Sequence, residues 1–463
     1  MKRTKIISLV AVLALILAAC SGDDSGADTT AGATDTTEAS PDTTEASPDT
    51  TEASPDTTEG STPSEEDPLA EYGESTDADP TLIAKALGPI EEPTGDPGWD
   101  IVKASIARAH QDLDQAIIDK AMECWSQPEC DTGTGGELVM GYADGGGHFN
   151  VWRAVSHMEA ILQALTYEEI GTIVSTEAGF AGADQEMANI RFLIQRGASF
   201  IVGYPDAGAG VAPAIAEATA AGIPYSSFSA GWVGLPDQEG ALVPGTDYLA
   251  VVGEDLCGLG ESFSEVLNEN VGSGTIGVLG GSPGNALTLG WQRCHFPSLA
   301  EGIEPIDSPA DENTTVGDTF WLNDNALQVV LGWLSTDPDL AGYSYEYADG
   351  LYTALSAYDQ LGIPVENLTI AIRTDEQSLF CDWAERNEPT YNIWYSAGGN
   401  FQSRTSVTAA MMSLQGATVP GSIIVPHVMR QVTAEDCNPD RVNPVVSGTS
   451  LVPDDVLALM FTS

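Results

Sequence analysis

The chain has 463 residues, with 69 Asp and Glu against 16 Lys and Arg, a formal net charge of −53 and seven cysteines. Acidity on this scale repels phosphate backbones and argues against a nucleic-acid partner. The length exceeds one ordinary core and predicts two or three units once the tails are set aside.

The first residues are basic (Lys2, Arg3, Lys5), and an apolar run follows that ends at Leu17, Ala18, Ala19 and Cys20. A basic start, a short apolar stretch and small residues before a cysteine form an export signal. The stretch is too short to favour a stable membrane-spanning helix. Residues 17–20 resemble a bacterial lipobox, which implies that Cys20 is lipidated, becomes the mature N-terminus and anchors the chain outside the cytoplasm. Residues 21–80 hold 18 Asp or Glu and no Lys or Arg, and the heptapeptide Thr-Thr-Glu-Ala-Ser-Pro-Asp occurs three times over residues 36–56. No position of that repeat is apolar enough for a coiled-coil seam. A disordered, self-repelling tether is expected.

Residues 81–136 form an accessory helical segment. Over residues 99–125 the apolar side chains Ile101, Ile106, Ile117 and Met122 recur at helical spacing and predict one helix packed on the body. From residue 137 apolar runs alternate with helical patterns. Strands are expected at 137–144, 169–179, 199–208 and 223–231, with helices at 151–165, 184–197 and 211–222. Such β-α repeats need crossovers and build a parallel sheet covered on both faces, so the fold class is α/β.

After a loop at 231–248, a second series of the same type runs from a strand at 247–255 to one at 368–375. A helix at 376–387, a strand near 390–398, a helix at 406–416 and a strand at 421–431 complete the body. Two doubly wound parallel-sheet lobes follow from this order. Residues 137–253 and 398–431 form lobe 1, and residues 254–397 and 432–463 form lobe 2. Three passages between the lobes then make a multi-strand hinge.

Six cysteines remain beyond Cys20. An even number outside the cytoplasm favours disulfides, though the count alone leaves several connectivities open. Chain order suggests Cys124 with Cys130, Cys257 with Cys294, and Cys381 with Cys437. A metal site is not expected, because the spacings lack the paired CxxC or HxxxH pattern of zinc sites. No cofactor is implied.

The order of elements over residues 137–440 resembles the type I periplasmic binding proteins, the ribose- and galactose-binding family that feeds ABC importers. Residues 183–208, 216–231, 281–296, 347–364 and 368–377 carry the resemblance best. In open α/β sheets ligands bind beyond the carboxyl ends of strands. The resemblance therefore points to His148, Phe149 and Asn150 after the first strand, Tyr204 and Asp206 after the third, and Ser229 and Trp232 after the fourth. In lobe 2 it implies Arg293 as a ligand-binding arginine, Trp321 as an aromatic contact, and Asp349 and Asp375 as polar ligands. Asn400 or Gln402 stands at the hinge-side amide position. Aromatic faces and carboxylates, amides and guanidinium groups suit a sugar ring and its hydroxyls. Where the family's ribose binders carry an adjacent Asp–Arg pair, this chain has Ser229 and Ala230, and where they carry Asn it has Tyr204. The expectation is a monomeric, lipid-anchored receptor that delivers a sugar or related small polar solute to an ABC permease.

Two rival readings remain at this level. A tethered sensor of the same fold would report the ligand to a membrane partner. Alternatively, residues 280–284 read Gly-Gly-Ser-Pro-Gly between a strand and a helix, the setting of a hydrolase nucleophile, with Asp375 and His427 downstream in triad order. Pro283 removes the backbone N–H that an oxyanion hole takes at that position. The binding reading, without catalysis, is preferred.

Overall fold

A computed structural model of the chain describes residues 67–385, 391–438 and 447–461; the signal segment, Cys20 and the acidic repeat lie outside the described residues. Residues 67–79 depart from the tether expected over 21–80, because Leu69 is buried among the accessory helices and buried Glu74 pairs with Arg108. The accessory segment continues with α1 (Pro80–Leu87), α2 (Pro97–Ala107), α3 (Gln115–Ser126) and β1 (Glu129–Asp131). Lobe 1 follows as β2 (Leu138–Asp144), α4 (Val151–Ala164), β3 (Ile170–Glu177), α5 (Ala183–Gln195), β4 (Phe200–Tyr204), α6 (Ala212–Ala220), β5 (Tyr225–Ser227) and β6 (Ala250–Gly253). Lobe 2 begins with α7 (Leu256–Asn270), β7 (Gly274–Val278), α8 (Ala286–Ser298), β8 (Ile303–Pro305) and α9 (Asn323–Leu334). It continues with β9 (Gly342–Tyr345), α10 (Ala348–Leu361), β10 (Thr369–Ile372), α11 (Gln377–Glu385) and β11 (Asn392–Tyr395). The chain then returns to lobe 1 with α12 (Gln402–Leu414) and β12 (Ser422–Ile424), passes to lobe 2 with β13 (Arg430–Gln431), and ends in α13 (Asp454–Phe461).

Lobe 1 is built on a seven-stranded sheet in the order β1-β3-β2-β4-β5-β6-β12, and lobe 2 on a six-stranded sheet in the order β13-β11-β10-β9-β7-β8. All pairs are parallel except those made by the edge strands β1 and β13. Every residue of β4, β5, β6, β9 and β10 is buried, as a sheet covered by helices on both faces requires. The α/β fold class expected from the sequence is the one observed.

Both sheets reverse direction at the same place. In lobe 1, β3 and β4 pair on opposite sides of β2; in lobe 2, β8 and β9 pair on opposite sides of β7. The loops leaving adjacent strands at such a switch point diverge to opposite faces and open a crevice beyond the carboxyl ends. The two crevices face each other.

The accessory segment differs from the single helix expected over 99–125. Helix α2 ends at Ala107 and α3 begins at Gln115. The two pack on different surfaces, α2 on α12 and β12, α3 on α4, and one straight helix could not follow both. Asp79 and Asp96 cap α1 and α2, each followed by a proline at the first helical position, which suits a residue whose N–H has no helical partner. Trp99, Ile101, Val102 and Ile106 are buried in one cluster with Met412 and Ile423. Side chains of this size contribute about 1.5–3 kcal/mol each when buried. Ser105 Oγ also meets Thr405 Oγ1 at 2.8 Å, so the segment is an integral cover of lobe 1.

The tail corrects a further expectation, since its last described residues leave lobe 2. Glu159 Oε1 on α4 accepts from the N–H groups of Leu451 (2.7 Å) and Val452 (3.0 Å) and from Ser450 Oγ (2.9 Å). Leu451 joins the core of the accessory helices, and α13 packs on α3. The chain therefore passes between the lobes a fourth time. The cysteines pair as chain order suggests: Cys124 with Cys130, Cys257 with Cys294, and Cys381 with Cys437. The first of these ties the end of α3 to β1, and the last ties the tail to α11.

Candidate functional site

The two crevices meet in a cleft lined by Asn150, Trp152, Arg153, Tyr204 and Ser229 from lobe 1, and by Leu287, Trp321, Glu346, Tyr347, Arg373 and Thr374 from lobe 2. Most of these residues lie at a strand end or in the loop and first helical turn after one, while Trp321 lies on the long connection between β8 and α9. The cleft is drawn shut, and its free volume is about 30 Å³, room for a water or two.

Arg153 is the centre of the lobe 1 wall. The loop from β2 delivers it on the first turn of α4, whose N-cap is Asn150. Its guanidinium binds Asp144 and, at 2.7 Å, Asp206. Three aromatic rings surround it: Tyr204 at 4.6 Å, Phe180 at 4.9 Å and Trp321 at 5.4 Å. Burial works against its charge, yet the Asp206 and Asp144 carboxylates raise its pKa further above the ordinary value. Gly146 is needed beneath it, because a Cβ there would lie 2.5 Å from Arg153 Nε.

Burial also acts on the acids behind Arg153. It pushes Asp206 up to about 7, with Arg153 opposing and Asp144 adding to the rise. It pushes Glu186 up to about 8, helped by Asp206.

Arg373 dominates the lobe 2 wall. Its NH2 group reaches Ser229 Oγ at 3.0 Å and Glu254 at 3.0 and 3.2 Å. Gln402 Nε2 donates to the same Glu254 at 2.6 Å, so the hinge and both walls share one carboxylate. Arg373 Nε is buried with no hydrogen-bond partner among the described residues, a donor at the cleft that a ligand oxygen would satisfy. Glu346 binds Trp291 and accepts from Thr288 Oγ1 (2.6 Å) and Trp321 Nε1 (2.8 Å). Burial nevertheless raises its pKa.

Two helix caps also hold the cleft closed. Asn150 accepts from Arg153 N at 3.2 Å and donates through Nδ2 to the Trp321 carbonyl at 3.3 Å. Asn285 accepts from Leu287 N at 2.9 Å and donates to the Asp206 carbonyl at 3.1 Å. Each caps its own helix and bonds the opposite lobe. Backbone strain gathers here as well: Phe180, Ser229, Ala230, Phe320 and Trp321 have φ between 50° and 56°. Non-glycine residues in this left-handed region cost on the order of 1–3 kcal/mol each and concentrate at functional sites.

The residues expected from the sequence divide into three groups. Asn150, Tyr204, Ser229 and Trp321 line the cleft, with Asp206 directly behind Arg153 and Phe149 at the rim, 59% exposed and 5.4 Å from the Phe180 ring. Asp349 and Asp375 are buried nearby but turned to other work. Asp349 accepts from Asn323 (2.6 Å) and Ser378 (2.8 Å), while Asp375 accepts from Ser447 Oγ (2.5 Å) and Thr449 N (2.9 Å) and so holds the tail. Asn400 packs at the hinge, donating to the Trp152 carbonyl at 2.8 Å.

Arg293 and Trp232 are not brought to the cleft. They line a separate groove of about 530 Å³ with Leu235 and Asp237. There Arg293 pairs with Asp237 at 2.8 Å and donates to the Glu312 carbonyl and Asn313. The arginines that do reach the cleft, Arg153 and Arg373, were not singled out. One signal for Arg153 was available, an arginine on the first helical turn after a strand-end loop in a chain with only 16 Lys and Arg. Glu346, Tyr347 and Arg373 lie at or just past the ends of strands and lacked any distinguishing mark.

The serine motif also resolves. Gly281 is required because the Trp321 ring lies where its Cβ would project. His427 Nε2 faces Ser262 Oγ at 3.4 Å, and Asp375 is engaged by Ser447 and Thr449. Among the described residues no hydrogen bond joins Ser282, Asp375 and His427, so the structure forms no triad from them.

Residues 150–417 match the family described as periplasmic binding protein domain. The chain belongs to that family. Its type I fold is shared with solved structures of low identity. One is an ABC transporter periplasmic solute binding protein from Actinobacillus succinogenes with bound D-allose, with 17% identity, 65% of this chain and 98% of that one covered, and a TM-score of 0.52. Another is a protein from Mycobacterium smegmatis in complex with β-D-fucofuranose, with 18% identity, 66% and 95% covered, and a TM-score of 0.54. A third is an ABC transporter solute binding protein from Bacillus halodurans with bound myo-inositol, with 16% identity, 66% and 97% covered, and a TM-score of 0.54. No curated protein sequence matches the chain. Periplasmic binding proteins are extracytoplasmic binding proteins, and no helix among the described residues is long and apolar enough to cross a membrane.

Proposed function

We propose that this periplasmic binding protein is a lipid-anchored receptor that captures a sugar or related small polar solute between its lobes and passes it to an ABC permease. The observation that carries the reading is the composition of the cleft. Two buried arginines, Glu346, Asn150 and Thr374 stand among Trp152, Tyr204, Trp321 and Tyr347, a combination of hydroxyl-binding groups and aromatic faces suited to a polyol ring. The solved relatives with bound D-allose, β-D-fucofuranose and myo-inositol support the ligand class. Anchoring rests on the Leu17–Cys20 resemblance.

The mechanism is a population shift. An open form admits the solute, and contacts to both walls exist only when the lobes close, so the solute stabilises the closed form. The cross-lobe bonds of Asn150, Asn285 and Arg373 close the cleft in the same direction. The closed lobes then present a joint surface to the permease. The protein acts as a monomer without cofactor or covalent chemistry.

A thermal-shift screen against monosaccharides, inositols and pentitols tests the reading. A solute at 100 times its Kd stabilises by about 2.7 kcal/mol. The expected result is a hit that Arg373→Gln abolishes. Silence across the panel, or a hit indifferent to Arg373, would overturn the proposal.

A further inference from the structure

Beside the cleft, outside its lining, three metal-ligating side chains converge from separate elements. His148 follows β2, His157 lies on α4 and Glu177 ends β3. His148 Nε2 is 2.7 Å from His157 Nδ1 and 3.3 Å from Glu177 Oε1, and one ligand atom from each lies within 4.8 Å of the others.

The rings are held by their surroundings. His148 stacks on Trp125 at 4.8 Å and His157 on Tyr142 at 4.2 Å, so their edges meet. His157 Nε2 bonds Ser175 Oγ at 2.8 Å. With the proton of His157 on that nitrogen, the Nδ1 lone pair points at His148 and Glu177, which is how an outer hydrogen bond orients a ligating imidazole. The His148 and Glu177 side chains are 26% and 38% exposed, so an ion can enter and keep a water.

We propose that His148, His157 and Glu177 form a binding site for a divalent transition ion such as Zn2+. Two imidazoles and a carboxylate with an open fourth position suit zinc, whereas Mg2+ and Ca2+ favour all-oxygen sets. The two histidine nitrogens share one proton at 2.7 Å; binding moves it to His148 Nδ1 when that ring is neutral, or to solvent when it is an imidazolium, and spreads the nitrogens to about 3.3 Å, the separation set by two bonds of about 2.0–2.1 Å at a tetrahedral angle. The half-exposed His148 supplies that movement. Phe149 and Asn150 come next in the chain, so the ion would pin the loop that caps α4 and reaches Trp321.

The test is calorimetric titration of Zn2+ into the purified full-length chain after chelator treatment, in excess Mg2+ to occupy surface carboxylates. One site per chain is expected, with His148→Ala and Glu177→Gln each weakening it at least tenfold. Co2+ in the same site should give the visible absorption of tetrahedral coordination. Thermal unfolding of the metal-free variants checks that they fold. Absence of a site in excess Mg2+, or a site that neither substitution weakens, would overturn the proposal.

Discussion

The two walls of the cleft are built alike and behave differently. Each is the carboxyl edge of a parallel sheet at a strand reversal, and each offers one arginine and one helix-capping asparagine. Arg153 takes both its ion pairs from its own lobe, with Asp144 and Asp206, and meets lobe 2 only through the Trp321 ring. Arg373 instead reaches Ser229 and Glu254 across the cleft and at the hinge. Opening the lobes leaves the first set intact and strains the second. One arginine is a permanent fixture of a wall; the other reports closure.

The sharpest way to break this contrast is Arg153→Met. It leaves two buried carboxylates without their cation, and losing one partner of a buried pair costs about 3–5 kcal/mol. Urea unfolding should show a fall of at least that size, with or without ligand. A loss under about 1 kcal/mol would mean that the pairing contributes nothing to the wall.

The acids behind Arg153 supply a pH test. Asp206 and Glu186 titrate near 7 and 8 in the folded chain, above their ordinary values near 4. The folded state therefore holds protons that the unfolded chain has already lost. Their contribution is complete below about pH 4 and is lost as pH rises through 7–8. Calorimetry should give a higher Tm at pH 6 than at pH 8.5, a difference that Glu186→Gln reduces.

The capping asparagines sharpen the symmetry of the walls. Asn150→Ala and Asn285→Ala should each cost about 1 kcal/mol of stability as lost caps. Both should also weaken ligand binding, because each removes a bond that exists only in the closed form. A cap loss with unchanged affinity would make the cross-lobe bonds incidental. The smallest effect belongs to Arg293→Ala. Its pair with exposed Asp237 is worth about 0–1 kcal/mol, and solute affinity should not change measurably, since Arg293 faces the outer groove.

That last pair of arginines shows where reading the chain stops. Arg293 and Arg153 are both arginines on helices that follow the first strand of a lobe. Three positions past the Asn150 cap, Arg153 turns into the crevice; deep in α8, Arg293 turns outward. Helix phase and the approach of the other lobe settle this, and neither is local. The same holds for His148, His157 and Glu177, which no spacing pattern connects.

Much was nonetheless decided by the sequence alone. Alternating apolar runs and helical patterns of crossover length leave only parallel sheets in two lobes, because backbone groups in such runs must pair with neighbouring strands. Carboxyl-end loops then had to carry the site, so Asn150, Tyr204 and Ser229 were legible by position, and Trp321 through the family resemblance. Tertiary structure decided the rest: the break between α2 and α3, the return of the tail to Glu159, the diversion of Asp375 to Ser447 and Thr449, and the assignment of Arg153 and Arg373 to the cleft. Those outcomes depend on which surfaces meet, and contacts between residues hundreds of positions apart leave no mark on local periodicity.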